Sequence, residues 1–237
     1  MAPPNLNGKD LDHWLTFLDR FSLSRDDLRM KTKTFFKMMS STIAAILLPA
    51  LFLSSCATYP PNPNIPELSP EGDYYSAVAA ASQKRQVYDG LYEILEINAV
   101  LVNSKVAAGR VDQNARMYQW TREQYNKEKA DMQTDLSKQT EIILGFFVPS
   151  RKEDNLAKKT SVWKIFLDVN GHRYEGQATK IKALPAEVRA LYPDHVRFYT
   201  PYKIEFPVPI SMVENAEAKF TVTGPVASAT LDFPPSK

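Results

Sequence analysis

Residues 161–181 read SVWKIFLDVNGHRYEGQATKI and carry the clearest strand pattern in the chain. The apolar residues on one face of the first half are Trp163, Ile165 and Leu167. This two-residue alternation is typical of a strand with one side in a core. The pair Asn170-Gly171 follows, and it is the strongest short hairpin signal because both residues tolerate positive φ. We therefore predict a hairpin whose returning strand is His172–Ile181.

Strand-like stretches also occur on both sides of this hairpin. They are Leu91–Asn103, Glu141–Val148, Val196–Phe206, Ala218–Val222 and Val226–Phe233. The stretch Leu91–Asn103 also fits helical spacing, but turn residues at both its ends favour a strand. Six or seven short strands separated by turn residues favour an antiparallel β-sandwich over a parallel sheet. The large residues expected in its core are Trp120, Phe146, Phe147, Trp163, Phe166, Phe198, Phe206, Phe220 and Phe233.

Helices are predicted before and between the strands. Asp73–Arg85 is rich in alanine and lacks helix breakers. Ser104–Leu136 is polar with one apolar stripe, and it forms one long helix or two pieces around Gly109. Pro185–Leu191 suits a short helix that begins with proline. The predicted fold class is therefore α+β: mainly an antiparallel β-sandwich, with an N-terminal helix and a long inserted helix.

The strongest targeting signal is the apolar run Met38–Leu53. It has 16 residues and contains Pro49, whereas a membrane-spanning helix needs about 20 apolar residues. Three lysines precede it, at positions 31, 33 and 37, and small residues follow it. A basic segment, a short apolar segment and small residues at the end are typical of a secretory signal peptide.

The last four residues of this segment, Leu53-Ser54-Ser55-Cys56, resemble the lipobox of bacterial lipoproteins. In that motif an apolar residue and two small residues precede an invariant cysteine, and Cys56 is the only cysteine here. The resemblance implies cleavage before Cys56 and a diacylglyceryl group on its thiol. Apart from this covalent lipid we expect no cofactor. Ala57 in place of Asp implies transfer to the outer membrane, facing the periplasm. The alternative, an ordinary thiol beside a transmembrane anchor, is disfavoured by the short apolar run.

The domain organisation follows from these segments. We expect translation to start at Met30, so that residues 1–29 are an upstream extension and residues 30–55 are the signal peptide. Residues 56–70 contain five prolines and are predicted to be an extended tether. Residues 71–237 then form a single α+β domain.

The domain also resembles small uncharacterised bacterial lipoproteins with a helical segment followed by an immunoglobulin-like sandwich. The shared features are Tyr88–Gly90, the pair Val162-Trp163, the turn Phe198–Tyr202 and the pair Gly224-Pro225. These features imply the fold and contain no catalytic signature.

Searches for catalytic and binding motifs exclude several classes of function. Residues 56–237 contain 22 basic and 22 acidic residues, so no positive surplus favours a nucleic-acid partner. No glycine cluster suits a phosphate, and no cysteine or histidine pair suits a metal ion. His172 is expected in the hairpin turn, and His195 is expected in a solvated loop rather than as a catalytic base. We therefore predict no catalytic and no metal-binding residues.

One aromatic and basic set remains as a candidate interface: Tyr192, Arg197, Tyr199 and Tyr202. The other interpretation places these aromatic rings in the core. Together the patterns predict a protein that is held to the membrane by its lipid and faces the periplasm. We expect it to act by binding or structural support. The alternatives are an envelope hydrolase with a site around His195, or an accessory subunit of an envelope assembly or transport complex with a protein partner.

Overall fold

The computed structural model describes residues 62–236. The predictions for residues 1–29, for the signal peptide at 30–55, for Cys56 and for residues 57–61 of the tether lie outside this range.

Nine strands and five helices make up the described part of the chain. The strands are β1 (Ser82–Asp89), β2 (Tyr92–Leu101), β3 (Thr140–Phe147), β4 (Lys164–Val169), β5 (His172–Glu175), β6 (Gln177–Lys180), β7 (Thr200–Phe206), β8 (Ala218–Thr223) and β9 (Ser228–Phe233). The helices are α1 (Glu71–Ala80), α2 (Ser104–Tyr118), α3 (Arg122–Leu136), α4 (Pro185–Leu191) and α5 (Ile210–Val213).

The strands form two antiparallel sheets that share one core. The five-stranded sheet has the order β1-β2-β3-β7-β6, and the four-stranded sheet has the order β5-β4-β8-β9. Buried residues from both sheets join in one apolar cluster, in which the rings of Phe206 and Phe220 meet edge to face at 6.2 Å. This arrangement confirms the predicted α+β class with antiparallel sheets in a sandwich-like fold.

Helices cover the other face of the five-stranded sheet. Tyr74 of α1, Val106 of α2 and Val188 of α4 belong to a second apolar cluster, together with Val100 of β2 and Ile143 of β3. Strands β2 and β3 are consequently buried on both faces, so they lack clean alternation. This burial explains why the sequence of β2 fits helical spacing as well as a strand.

Local turn chemistry sets the two tight hairpins. Asn170 and Gly171 have φ of 51° and 76°, so the predicted turn between β4 and β5 is confirmed. Gly90, between β1 and β2, has φ of 60°.

The predicted helices differ from the structure at two places. The first helix ends at Ala80, and Ser82 begins the edge strand β1, where the sequence predicted helix as far as Arg85. The long helix is broken at Gln119, whose φ is 52°, and it restarts at a capping box on Thr121. Gly109 lies within α2 instead, and a side chain is excluded there because a Cβ would come within 2.7 Å of the Tyr74 ring.

The predicted returning strand His172–Ile181 is two strands in different sheets. β5 pairs with β4, whereas β6 pairs with β7 of the other sheet. The chain crosses at Gly176, where a Cβ would lie 2.6 Å from the Phe206 ring. A glycine in a strand pattern often marks such a bend, and here it turns the chain from one sheet to the other.

The last part of the predicted tether is attached to the helices. The Arg122 backbone N–H donates to the Asn64 carbonyl at 2.8 Å, and its guanidinium donates to the Ile65 carbonyl at 2.9 Å. The Ser69 N–H donates to the Asp112 carboxylate at 3.0 Å. Residues 62–70 therefore belong to the folded unit, which begins before the predicted boundary at residue 71.

Candidate functional site

One end of the sandwich, which we call the hairpin end, collects several loops. Glu96 of β2 pairs with Phe147 of β3, and Phe146 pairs with Thr200 of β7. The same end of the five-stranded sheet therefore carries the β1–β2 turn, the segment after β3 and the segment before β7. Trp163, just before β4, packs edge to face on Phe146 at 5.3 Å, so the start of β4 lies there as well.

Exposed apolar side chains concentrate at the hairpin end. Six of the ten large exposed apolar residues in the described range belong to it: Tyr88, Leu91, Tyr92, Val162, Val196 and Phe198. Leu91 is 96% exposed and Tyr92 is 80% exposed, and both lie at the tip of the β1–β2 hairpin. Single exposed apolar residues are ordinary, but a concentration at one end of a domain is typical of an interaction surface.

A groove of about 610 Å³ lies at the same end, lined by the end of β3 and the loop after it, the end of β6 and the segment before β7. Its polar side chains include Arg151, Lys180 and Arg197, and its aromatic wall includes Phe147 and Phe198. This volume lies within the range of ligand sites in proteins. The groove therefore combines exposed positive charge with aromatic surface.

The carboxylate of Asp154 fixes the loop that forms one side of this groove. It accepts hydrogen bonds from the hydroxyl of Thr200 and from that of Tyr202, the second at 2.8 Å. Burial, followed by this bond, raises the pKa of Tyr202 above its ordinary value. Asp154 is thus engaged in holding β7 to the β3–β4 loop.

A polar network lies under the same loops, on the helix-facing side of the sheet. Glu96 forms an ion pair with Lys84, and the hydroxyl of Tyr199 contacts both side chains. Burial and the bond to Glu96 raise the pKa of Tyr199 to about 12. The bond to Glu96 also raises the pKa of Lys84. At neutral pH the amine is therefore charged and the phenol is neutral, so neither group is prepared to act as a base.

His195 is buried beside this network, and the prediction of a solvated loop histidine is wrong. Its side chain is 9% exposed and its ring meets the Tyr199 ring at 5.6 Å. Gly145 permits this approach, since a Cβ there would lie 2.6 Å from the Tyr199 ring and 3.3 Å from His195 Nδ1. Burial lowers the pKa of His195. His172 is exposed at the β4–β5 turn, as predicted.

The geometry around His195 offers little room for a substrate. The adjoining cavity measures about 10 Å³, which is the space of one water molecule at most. Asp194, next to His195, contacts β2 through its backbone carbonyl, which accepts a hydrogen bond from the side-chain amide of Asn98 at 3.3 Å. The hydrolase alternative needs a carboxylate joined to His195 in a pocket, and this pocket does not supply the space.

The candidate interface residues separate into two groups. Tyr192, Tyr199 and Tyr202 are 5%, 5% and 2% exposed, so they belong to the interior and do not form a surface. Arg197 is exposed, with its guanidinium 5.4 Å from the centre of the Phe198 ring. The sequence placed Phe198 in the core, and it is 69% exposed. Leu91 and Tyr92 were missed, although their position after Asp89-Gly90 at a turn is a signal that exposes a strand end.

No cluster of three metal-ligating side chains occurs within residues 62–236. In the same range, every helix is too short or too polar to cross a bilayer. Comparison with protein-family models, with characterised proteins and with solved structures gives no match for this chain.

Proposed function

We propose that the protein is a lipid-anchored, periplasm-facing component of the bacterial cell envelope, in the outer membrane, that binds a protein partner through the tip of its β1–β2 hairpin and has no catalytic role. The anchor rests on the lipobox at Cys56. The observation that carries the binding role is the exposed apolar tip of the β1–β2 hairpin.

The chemistry of the tip suits a protein surface. Leu91 and Tyr92 are almost completely exposed to water. Burial of apolar surface in an interface contributes about 25 cal/mol of favourable free energy per Å². Tyrosine is enriched at protein interfaces because it adds a large area and a polar hydroxyl at low entropic cost. The neighbouring acidic residues, Asp89 and Glu93, disfavour an anionic lipid surface at this position.

For the fold we also propose a more specific class than two antiparallel sheets. We infer an immunoglobulin-like sandwich, supported by the packing of Trp163 between the sheets against Phe146. The residue pairs Val162-Trp163 and Gly224-Pro225, which resemble those of small lipoproteins with an immunoglobulin-like sandwich, support the same fold.

The same tip also suits an accessory subunit of an envelope assembly or transport complex, in which the partner is another subunit. This second candidate differs only in the identity of the partner. The hydrolase around His195 gains no support from the cavity beside it.

Metabolic labelling tests the anchor. Cells that express the wild type or Cys56→Ser are grown with an alkyne analogue of palmitate, and the purified proteins are compared by mass spectrometry. We expect the lipid on the wild type alone, on a chain that begins at Cys56, together with sedimentation in the outer-membrane fraction. Equal labelling of both proteins would refute the anchor.

A further inference from the structure

The groove at the hairpin end holds three cationic side chains that are not used by the fold. Arg151, Lys180 and Arg197 are exposed and line one groove. None of the three side chains has an ion pair or a hydrogen bond with another residue of the described range. Of the three, only Lys180 lies on a strand, and it differs there from strand residues such as Lys164 and Arg173, which have a carboxylate partner.

The net charge of the groove is positive. Asp154 is the carboxylate of the lining, and the hydroxyls of Thr200 and Tyr202 occupy its oxygens. It cannot turn toward the three cations without losing these bonds. An entering anion therefore meets three positive groups and one negative group that is already engaged.

The aromatic wall adds a second kind of contact. Phe198 lines the groove and is 69% exposed, and the Arg197 guanidinium lies over its ring. A guanidinium held on a ring face keeps its N–H groups directed to the side, where they can bind two oxygens at once. The free part of the ring offers an apolar surface to the rest of a ligand.

We propose that this groove binds a phosphate group, carried by a ligand whose apolar part packs on Phe198. A phosphate monoester has a charge of about −1.5 to −2 at neutral pH, which matches the net charge of the lining. Its several oxygens can also engage two guanidinium groups and an ammonium, whereas a carboxylate has only two oxygens. The proposal is independent of the lipid anchor and of the partner at the hairpin tip.

Two sources of the phosphate group can be distinguished by titration calorimetry. The full chain is purified in dodecyl maltoside and titrated at low salt with phenyl phosphate, a monoester with an aromatic ring. A second titration uses dihexanoyl phosphatidylglycerol below its micelle concentration, which presents a phosphate diester as a lipid headgroup does. Tighter binding of the first indicates a small phosphorylated molecule, and tighter binding of the second indicates a lipid headgroup.

Matched variants locate the binding. Arg197→Gln is expected to weaken the tighter probe about tenfold, because a hydrogen bond to a charged group is lost. Arg189→Gln removes an exposed arginine of α4, outside the groove, and leaves affinity unchanged. Phe198→Ser weakens binding, whereas Leu184→Ser, which removes a side chain 66% exposed elsewhere, does not.

The pH dependence gives an independent readout. The second ionisation of a phosphate monoester lies near pH 6, so phenyl phosphate is expected to bind more tightly at pH 7.5 than at pH 5. The proposal is overturned if neither probe saturates, or if Arg197→Gln and Arg189→Gln change the affinity equally. Thermal unfolding by circular dichroism confirms that each variant is folded.

Discussion

Two aromatic side chains near the same end of the sandwich, Trp163 and Phe198, lie in opposite environments. Trp163 is 4% exposed, contacts Phe146 edge to face, and donates from Nε1 to the Glu153 carbonyl at 2.7 Å. Phe198 is 69% exposed, and the guanidinium of its neighbour Arg197 lies 5.4 Å from the centre of its ring. Trp163 lies between the two sheets, whereas Phe198 lies before the start of β7, beyond the strand ends of its sheet. A partner sheet, rather than residue type, therefore decides burial at this end.

The largest expected effect contrasts these two positions. Trp163→Ala is expected to lower the free energy of unfolding by about 3–5 kcal/mol, because it leaves a cavity and an unpaired carbonyl. Phe198→Ala is expected to change it by less than about 0.5 kcal/mol, since the side chain is already in water. Urea unfolding of residues 62–237, followed by circular dichroism, measures both values. Similar losses for the two variants would contradict the contrast.

The alternation around Trp163 predicted its burial because β4 is covered on one face along its whole length. The same reasoning failed for Phe198. It belongs to the predicted strand Val196–Phe206, but pairing with β3 begins only at Thr200. Where a strand begins depends on pairing with residues distant in the chain, so the local pattern does not contain it. The groove was missed for the same reason, because Arg151, Lys180 and Arg197 come from three separate segments.

Glycine positions were only partly predictable. Asn170-Gly171 identified its turn because positive φ is a property of those two residues. Gly145 and Gly176 have another role, which is to admit a ring from a distant segment. Nothing next to either residue in the sequence indicates which ring approaches.

The next effect concerns the interior beneath the hairpin end. Gly145→Ala is expected to lower the free energy of unfolding by about 1–3 kcal/mol, because the new Cβ collides with the buried Tyr199 ring. Gly72→Ala is the control, since a Cβ there meets no atom within 4 Å and alanine favours the helix α1. A neutral Gly145→Ala would show that the Tyr199 loop is not held against the sheet.

A smaller effect depends on pH. Burial lowers the pKa of His195 in the folded state, so the unfolded chain binds the proton more readily. The resulting stability is complete above the ordinary pKa of about 6.5 and is lost as the pH falls below it, by at most about 1.4 kcal/mol per pH unit.

Urea unfolding between pH 7.5 and pH 5 measures this contribution. His195→Gln is expected to flatten the pH dependence, while His172→Gln at the exposed turn leaves it as in the wild type. Identical slopes for all three proteins would show that His195 titrates alike in the folded and unfolded states.

Crosslinking in living cells tests whether the anchored protein binds its partner through the exposed hairpin tip. A photo-reactive amino acid replaces Leu91 or, as the control, Leu184, which is exposed at a distant position. We expect one discrete protein adduct from position 91, none from position 184, and loss of that adduct when Cys56→Ser is added. No adduct from position 91, or the same adducts from both positions, would contradict it.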